Sequence, residues 1–497
     1  MLGIHPLDIL VLFLYFIIIS VTGWWSSRKI KDTGDFFIGG RRFGKFLTAM
    51  LSFGTGTHAD QAVGVVSKSY SVGLSGIWYE WMWLLVNPFY WIFAAILRRL
   101  RVVTTADYFR QRFNQNIAAL YAFLAMVILM LNIGTMVLGS SRIIEGLTDG
   151  AITFFWGVII ITLLFVFYGL AGGIVAAALN DVIQGVLTIV FSFLLIPFSL
   201  AKVGGFHALH QKVQATADYN MFTLIAPKGI TAFFVFMIVV NGIFNWVVQP
   251  HVIPSSTSCK TEMDSRVGVT YGNFIKRFCT IAWAFTGVTA IALLPNLDNP
   301  DQAFGAMARL LLPVGLVGLL IASLLATIQS TGAVLMLSGS SIFVRNIYSV
   351  YFEKGKNEAH YLLAGRIASL GIVVGSLAFA VLLPGVVKAL EIFMVLPALL
   401  GVPFWMSIVW RRANPASTWA SFIASTLVWM YTEFMTEMPL PWQMVSYLSA
   451  GLIVGFIVGS ITKPLPKEQL DPIYKRLQTP VLEEEHLESD LVEGHSL

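Results

Sequence analysis

Ser52-Phe-Gly-Thr-Gly-Thr-His-Ala-Asp-Gln61 interrupts a run, residues 46–66, that is otherwise apolar enough to cross a bilayer. A continuous helix gains nothing from Gly54 and Gly56, each of which costs it about 1 kcal/mol relative to Ala. An unwound turn at the same place bares carbonyls to a cation or N–H donors to a solute. Lipid tolerates such a break only beside protein or a water-filled cavity. Asp60 and His58 point the same way, since ionisable groups at that depth are costly and mark pathways. The competing reading is a kinked helix with packed glycines and a histidine satisfied by a neighbour.

Apolar residues make up 57% of the 497 and charged ones 12%, with 37 Phe, a balance that a water-soluble core of ordinary composition cannot bury. Runs of roughly 18 apolar residues recur from 7–24 to 442–461 and predict an all-α membrane protein of about 13 transmembrane helices. No positive charge precedes the first run and no small-residue cleavage site follows it, so 7–24 reads as a retained span and not a signal peptide. Loops 25–45, 98–116, 251–277, 344–366, 411–412 and the C-terminal tail fall on one side if the spans alternate, and they hold most of the 32 Lys and Arg residues. By the positive-inside rule that side is the cytoplasm, with the N-terminus outside and the C-terminus inside the plasma membrane. The formal charge of +5 then reflects topology and not nucleic-acid binding. Cys259 and Cys279 read as free thiols on the cytoplasmic side, where disulfides are rare.

Further along, Trp78-Tyr-Glu-Trp-Met-Trp83 opens the span 75–97. Trp78, Tyr79 and Trp83 suit an interfacial aromatic belt, but Glu80, about a turn inside, wants a partner. In Thr104-Thr-Ala-Asp-Tyr-Phe-Arg-Gln-Arg-Phe113, Thr105 or Asp107 can cap a short helix, with Arg110 and Arg112 toward headgroups. The glycine turn after Tyr168 makes a helical hairpin and leaves Asp181 near the cytoplasmic end of 174–201, either pairing with a base or receiving a cation on its way in.

Asn241-Gly-Ile-Phe-Asn-Trp-Val-Val-Gln-Pro250 is a second polar, glycine-interrupted segment, inside the span 230–250. Five spans separate it from the first, an odd offset that turns the second half upside down and sets a binding site at the midplane between the halves. Thr327, Ser330 and Thr331 stand at i, i+3 and i+4 and share one helical face. That face is either a small-residue packing seam or a set of oxygen ligands for a hard cation. The tail after Lys463 is polar and reads as disordered or as a surface helix.

Three pieces now carry a family likeness: Ala106-Asp-Tyr-Phe-Arg-Gln-Arg-Phe113, the Tyr168-Gly-Leu-Ala-Gly-Gly turn with Asn180-Asp-Val-Ile-Gln-Gly185, and Gln329-Ser-Thr331. With them the chain resembles the sodium/solute symporters from about residue 30 to 462, and through them the amino-acid transporter fold of five-plus-five inverted repeats. Asn180 departs from the pattern, which has Thr before the Asp. The resemblance implies an N-terminal extra helix and loop (1–45), a first five-helix repeat (46–201), an extracellular loop (202–229), a second, inverted repeat (230–410), two C-terminal helices (411–462) and a cytoplasmic tail (463–497).

Ala59-Asp-Gln61, Tyr70-Ser-Val-Gly-Leu74 and Tyr79-Glu-Trp-Met82 are similar to the bacterial sodium/sugar members, which have Glu in place of Asp60. In those relatives the Glu-Gln pair and the later Glu hydrogen-bond the sugar. The likeness implies Asp60, Gln61 and Glu80 as solute ligands with Tyr79 beside them, faced by Asn241 and Asn245 of the second interrupted span. It also implies one sodium between the second span, 46–66, and the ninth, 312–343, held by the carbonyls of Gly54, Thr57 and Thr327 and the hydroxyls of Ser330 and Thr331, with Asp181 near the inward exit. Members with a second sodium use hydroxyls where this chain has Ala333 and Val334, so one sodium per solute is expected.

The expected function is therefore sodium-coupled uptake by a secondary active transporter working by alternating access. As the spans are drawn, no Lys or Arg lies at mid-membrane, while Asp60, Glu80 and Glu391 offer negative charge near aromatic faces. A neutral sugar or polyol fits that balance, and a cationic or zwitterionic solute, such as an amino acid or organic cation, is the second choice. An intramembrane metalloenzyme would need clustered ligands, and no HExxH is present. A transporter-like sensor would need an output domain larger than this tail. The partners are the solute, sodium and the bilayer, with no obligate protein partner.

Overall fold

The fold comes from a computed structural model, which describes residues 5–27, 57–102, 104–171, 174–226, 229–252 and 261–481, with 45, 49, 52, 53, 256 and 259 between them. Every described element is helical, and a helix answers each of the apolar runs, from Pro6–Ser27 to Leu440–Ile461. Eight helical stretches among the described residues are long and apolar enough to cross a membrane by length and composition. Leu, Ile and Phe side chains remain exposed along their outer faces, the reverse of what water would select. Short helices Thr105–Arg112, Gly205–Gln214, Ala303–Leu311 and Lys467–Gln478 join or flank the long ones.

Two spans are interrupted. Ser52 and Phe53 are helical, Thr57 and His58 are not, and a new helix starts at Ala59, with His58 extended at φ −124°, ψ 167°. Gly54 and Gly56 lie outside the described residues. The Ala59–Val72 helix then turns through Gly73–Ile77 into Trp78–Arg99. Gly73 has φ +76°, and a Cβ there would lie 2.3 Å from the Met221 carbonyl, so only glycine fits. The second interruption falls later than expected. Ala232–Trp246 is unbroken through Asn241 and Asn245, and the helix gives way to turns from Val247.

The eighth long helix corrects the sequence reading most. Expected over 278–294, it runs Glu262–Leu293. Thr261 accepts from the Asp264 N–H while the Asp264 carboxylate accepts from the Thr261 N–H, a reciprocal cap that fixes the start. Residues assigned to a cytoplasmic loop, Lys276 and Arg277 among them, thus lie inside a helix. Its glycines let it press on both parts of the first interrupted span. A Cβ at Gly272 would meet the Ala49 carbonyl at 2.4 Å, and one at Gly287 the Val66 carbonyl at 2.5 Å.

Capping also seats the outlying elements. Asp8, buried on Pro6–Ser27, accepts from the N–H groups of Gly315 and Gly318 at 2.6 and 2.8 Å, satisfying free donors at the start of Leu316–Thr327. In the short loop helix Thr104, one residue before the expected cap, pairs reciprocally with Asp107. Arg112, expected at headgroups, is fully buried and donates to the Ser407 carbonyl at 3.1 Å, where the Val386–Val409 helix runs out of its own donors. The Lys467–Gln478 tail helix docks on the same end. Gln469 donates to the carbonyls of Gln111 and Phe113, and Tyr474 to that of Ser407. The acidic residues beyond 481 lie outside the described residues.

Candidate functional site

A cavity of about 70 Å³ lies between the two interruptions and the Glu262–Leu293 helix. The first interruption supplies His58, Asp60 and Gln61, the second Trp246, Gln249 and His251, and the eighth long helix Asn273, Lys276 and Arg277. Glu80, Trp83 and Tyr90 come from Trp78–Arg99. Tyr90 stacks on Trp246 with centroids 4.2 Å apart, giving one wall a flat aromatic surface.

The polar groups divide into engaged and disengaged ones. Arg277 donates to Glu80 twice, to Oε2 at 2.5 Å and to the main-chain carbonyl at 2.7 Å, with both side chains about 4% exposed. Asp60 Oδ1 and Gln61 Oε1 are buried and have no hydrogen-bond partner, and the His58 ring nitrogen nearest Asp60 is 3.9 Å away. Lys276 is 3% exposed and, among the described residues, has no hydrogen bond or ion pair. Buried polar groups left in this state inside protein are costly unless something else engages them. Gly139 lets the helix Gln115–Leu147 approach the carboxylate's own backbone: a Cβ there would be 2.7 Å from Asp60 Cα.

Three expected solute ligands lie elsewhere. Asn241 donates to the Met394 carbonyl at 2.8 Å and accepts from Tyr447 at 2.5 Å. Asn245 donates to the carbonyls of Phe393 and Met394 at 3.0 and 2.8 Å and accepts from Gln249. The reason sits in the Val386–Val409 helix, where Pro397 has no N–H for the carbonyl of Phe393 four residues earlier. Asn245 supplies the missing donor. Both asparagines tie helices together and do not line the cavity. Tyr79 is buried beside it, donating to Glu391 Oε1 at 2.6 Å, with the Lys68 ammonium 5.1 Å from its ring centre.

The expected sodium ligands are partly brought together. Thr57 and Thr327 face one small cavity of about 30 Å³ with Ser192 and Ser323. Their hydroxyls donate to the carbonyls of Phe53 and Ser323 at 2.6 and 2.9 Å, and a hydroxyl oxygen that donates in this way can also accept or ligate. Ile328–Gly332 is wound as a π turn, so the i, i+3, i+4 stripe read from α-helical spacing is locally shifted. Such turns leave main-chain groups off the α ladder and recur at functional sites. Thr331 Oγ1 is buried without a hydrogen-bond partner. Gly54 and the side chains of Ser330 and Asp181 lie outside the described residues. Among the described residues no His, Cys, Asp and Glu cluster could hold a transition metal.

Lys276, Arg277, Gln249 and His251 are the site residues that sequence reasoning missed. The signal for the first two was present, since Thr261-Glu-Met-Asp264 has the spacing of a helix start and places Lys276 near mid-helix.

Two interrupted helices that bring charged and hydroxyl groups to the middle of an apolar bundle define a transporter. The chain belongs to the sodium:solute symporter family, whose profile matches residues 36–424. It is 23% identical to the sodium/glucose cotransporter of Vibrio parahaemolyticus over 91% of this chain and 90% of that one. It is 24% identical to the osmoregulated proline transporter OpuE of Bacillus subtilis, over 92% of this chain and 95% of that one. Among solved structures, a sodium-coupled sialic acid symporter in a substrate-bound outward-open state superposes with a TM-score of 0.76 at 20% identity, covering 93% of this chain and 98% of that one. The transporter Mhp1 in a closed conformation gives 0.57 at 15% identity, over 90% and 99%. The fold is thus the five-plus-five inverted repeat, and the protein is a multi-pass membrane symporter, not an enzyme, with sodium as the co-transported ion.

Proposed function

We propose that the protein couples the entry of one sodium to uptake of a small solute without net charge, a sugar or polyol, across the plasma membrane. The observation that carries this reading is the charge balance of the central cavity: Asp60 and Glu80 against Lys276 and Arg277. Two carboxylates and two bases cancel, so a neutral guest leaves no charge uncompensated in low dielectric, whereas a cation or anion would. The two bases remove the expectation of a purely acidic site, and with it the case for an organic cation. Asp60 and Gln61 accept hydroxyl donors, Lys276 donates to hydroxyl oxygens, and the Tyr90–Trp246 face stacks on an apolar ring surface.

A zwitterion is the second reading, favoured by two opposite charges that line one cavity, Lys276 for a carboxylate and Asp60 for an ammonium. The sodium/glucose and sodium/proline relatives are compatible with either.

For sodium, the carbonyls of Gly54, Thr57 and Thr327 and the hydroxyls of Ser330 and Thr331 remain the proposed ligands. Asp181 is proposed at the inward exit and Ala333 and Val334 in place of a second site. The repeats are taken as 46–201 and 230–410, the N-terminus as outside and the tail as cytoplasmic. Uptake by proteoliposomes of a labelled panel of hexoses, hexitols, proline and glycine betaine, with inward sodium against inward potassium, tests the proposal. Sodium-dependent uptake of a hexose or hexitol is expected. Uptake of proline or betaine alone selects the second reading, and uptake equal in potassium refutes both.

A further inference from the structure

We infer that Arg277 is a positioning residue for solute selection, acting through Glu80. The pair sits in the cavity wall, yet the two groups are not equivalent there. The Arg277 guanidinium is fixed on its own helix by Nε donating to the Asn273 carbonyl at 3.2 Å. Its Nη1 then bonds both the carboxylate and the main-chain carbonyl of Glu80, folding that side chain back onto its own helix. From the other direction, the Trp81 indole donates to the Arg277 carbonyl at 3.2 Å, so the two helices are locked in one register at this point.

One carboxylate oxygen is thereby consumed. Oε1 accepts no hydrogen bond from any described residue and belongs to a residue that lines the cavity. Arg277 therefore does two things to Glu80. It compensates the charge of a nearly fully buried carboxylate, which is then an acceptor only, and it presents a single oxygen at a fixed place. Lysine would keep the charge but not the separate Nε–H that anchors the guanidinium on the Asn273 carbonyl while Nη1 holds Glu80. A guest with a donor at that place is selected over the same guest lacking it, because an unmet carboxylate oxygen is expensive.

This rests on the central cavity being the solute site, as proposed above. The test uses the full-length protein in proteoliposomes. Uptake rates are measured for D-glucose, D-galactose and their monodeoxy derivatives, with proline and glycine betaine, in wild type, Glu80→Gln, Arg277→Lys, Arg277→Gln and the Glu80→Gln/Arg277→Gln double variant, each normalised to monodisperse reconstituted protein. Preference ratios between each parent solute and its analogues are the readout, because a loss of folding alone lowers all rates together and leaves the ratios intact. Glu80→Gln and Arg277→Gln are expected to shift the same ratio, by about tenfold, the size of one hydrogen bond to a charged group. Arg277→Lys should shift it less, and the double variant no further than either single. Unchanged ratios in both arginine variants, or shifts that add in the double, overturn the inference while leaving the transport reading intact. Wild-type protein that takes up no panel member overturns both.

Discussion

Asp60 and Lys276 set the terms at the scale of single residues. Each is buried in the cavity wall, Lys276 with no hydrogen bond or ion pair among the described residues and Asp60 with Oδ1 accepting no hydrogen bond, so each is a group whose cost a bound solute can relieve. Replacing Lys276 by Gln should raise the solute KM at least about tenfold while leaving the sodium dependence within about twofold, since a bond to a charged group is lost on the solute side only. Asp60→Asn should likewise weaken or reorder solute preference, and an unaltered solute profile in uptake assays would remove Asp60 from the site. Gly139→Ala tests the backbone beneath it. With Asp60 Cα 2.7 Å from the added carbon the helix start must move, and transport is expected to fall about tenfold or more with little loss of folded protein. Asp60 and Gln61 were legible because polar residues beside glycines weaken a membrane helix twice over, in propensity and in desolvation, and only a bared site repays both. Lys276 was not, because counting it into a basic loop satisfied the charge-sidedness rule equally well. Only the Thr261 to Asp264 spacing separates the two readings.

Among elements, the interrupted spans and the ninth span's π turn matter most. Composition exposed the first break, and the structure starts the new helix one residue before Asp60. The second break was placed too early, because Asn241 and Asn245 look like the polar lining of a gap. What they satisfy is a proline-disrupted carbonyl on another helix, and a partner 148 residues away has no local signature. Asn245→Leu should consequently lower thermal stability by about 1–3 kcal/mol, the cost of an orphaned buried carbonyl, read by thermal unfolding in detergent. Preserved stability would return Asn245 to the list of candidate ligands. The hydroxyl stripe was legible as a face, but its winding was not, since no residue of Ile328-Gln-Ser-Thr-Gly332 forbids an ordinary α turn. Ser330→Ala with Thr331→Ala should raise the sodium concentration for half-maximal uptake about fivefold or more without reordering the solutes. An unchanged sodium requirement would remove both hydroxyls from the ion site.

For the molecule as a whole, the proposed ion and solute sites share one interrupted helix: Thr57 lines the smaller cavity, Asp60 the larger, and His58 both. On that proposal, filling either site would order the shared turn, each guest would favour the other by a reciprocal coupling, and rocking of one repeat against the other would release both. One sodium crossing about 100 mV contributes ~2.3 kcal/mol, and a tenfold gradient adds ~1.4 kcal/mol. Together they sustain accumulation on the order of several hundredfold, so a single ion is sufficient. The all-helical membrane fold and the class of protein could be read from the chain alone. The charge balance of the cavity could not, because it depends on which helix carries Lys276 and Arg277 into it. That balance is also the most direct point of attack. Electrogenic current and labelled solute flux, measured together on proteoliposomes under an imposed potential, give the charge moved per solute. One positive charge per solute is predicted, lost when sodium is replaced by potassium. A ratio of zero or two would contradict it, since either requires a charged solute or a different number of ions.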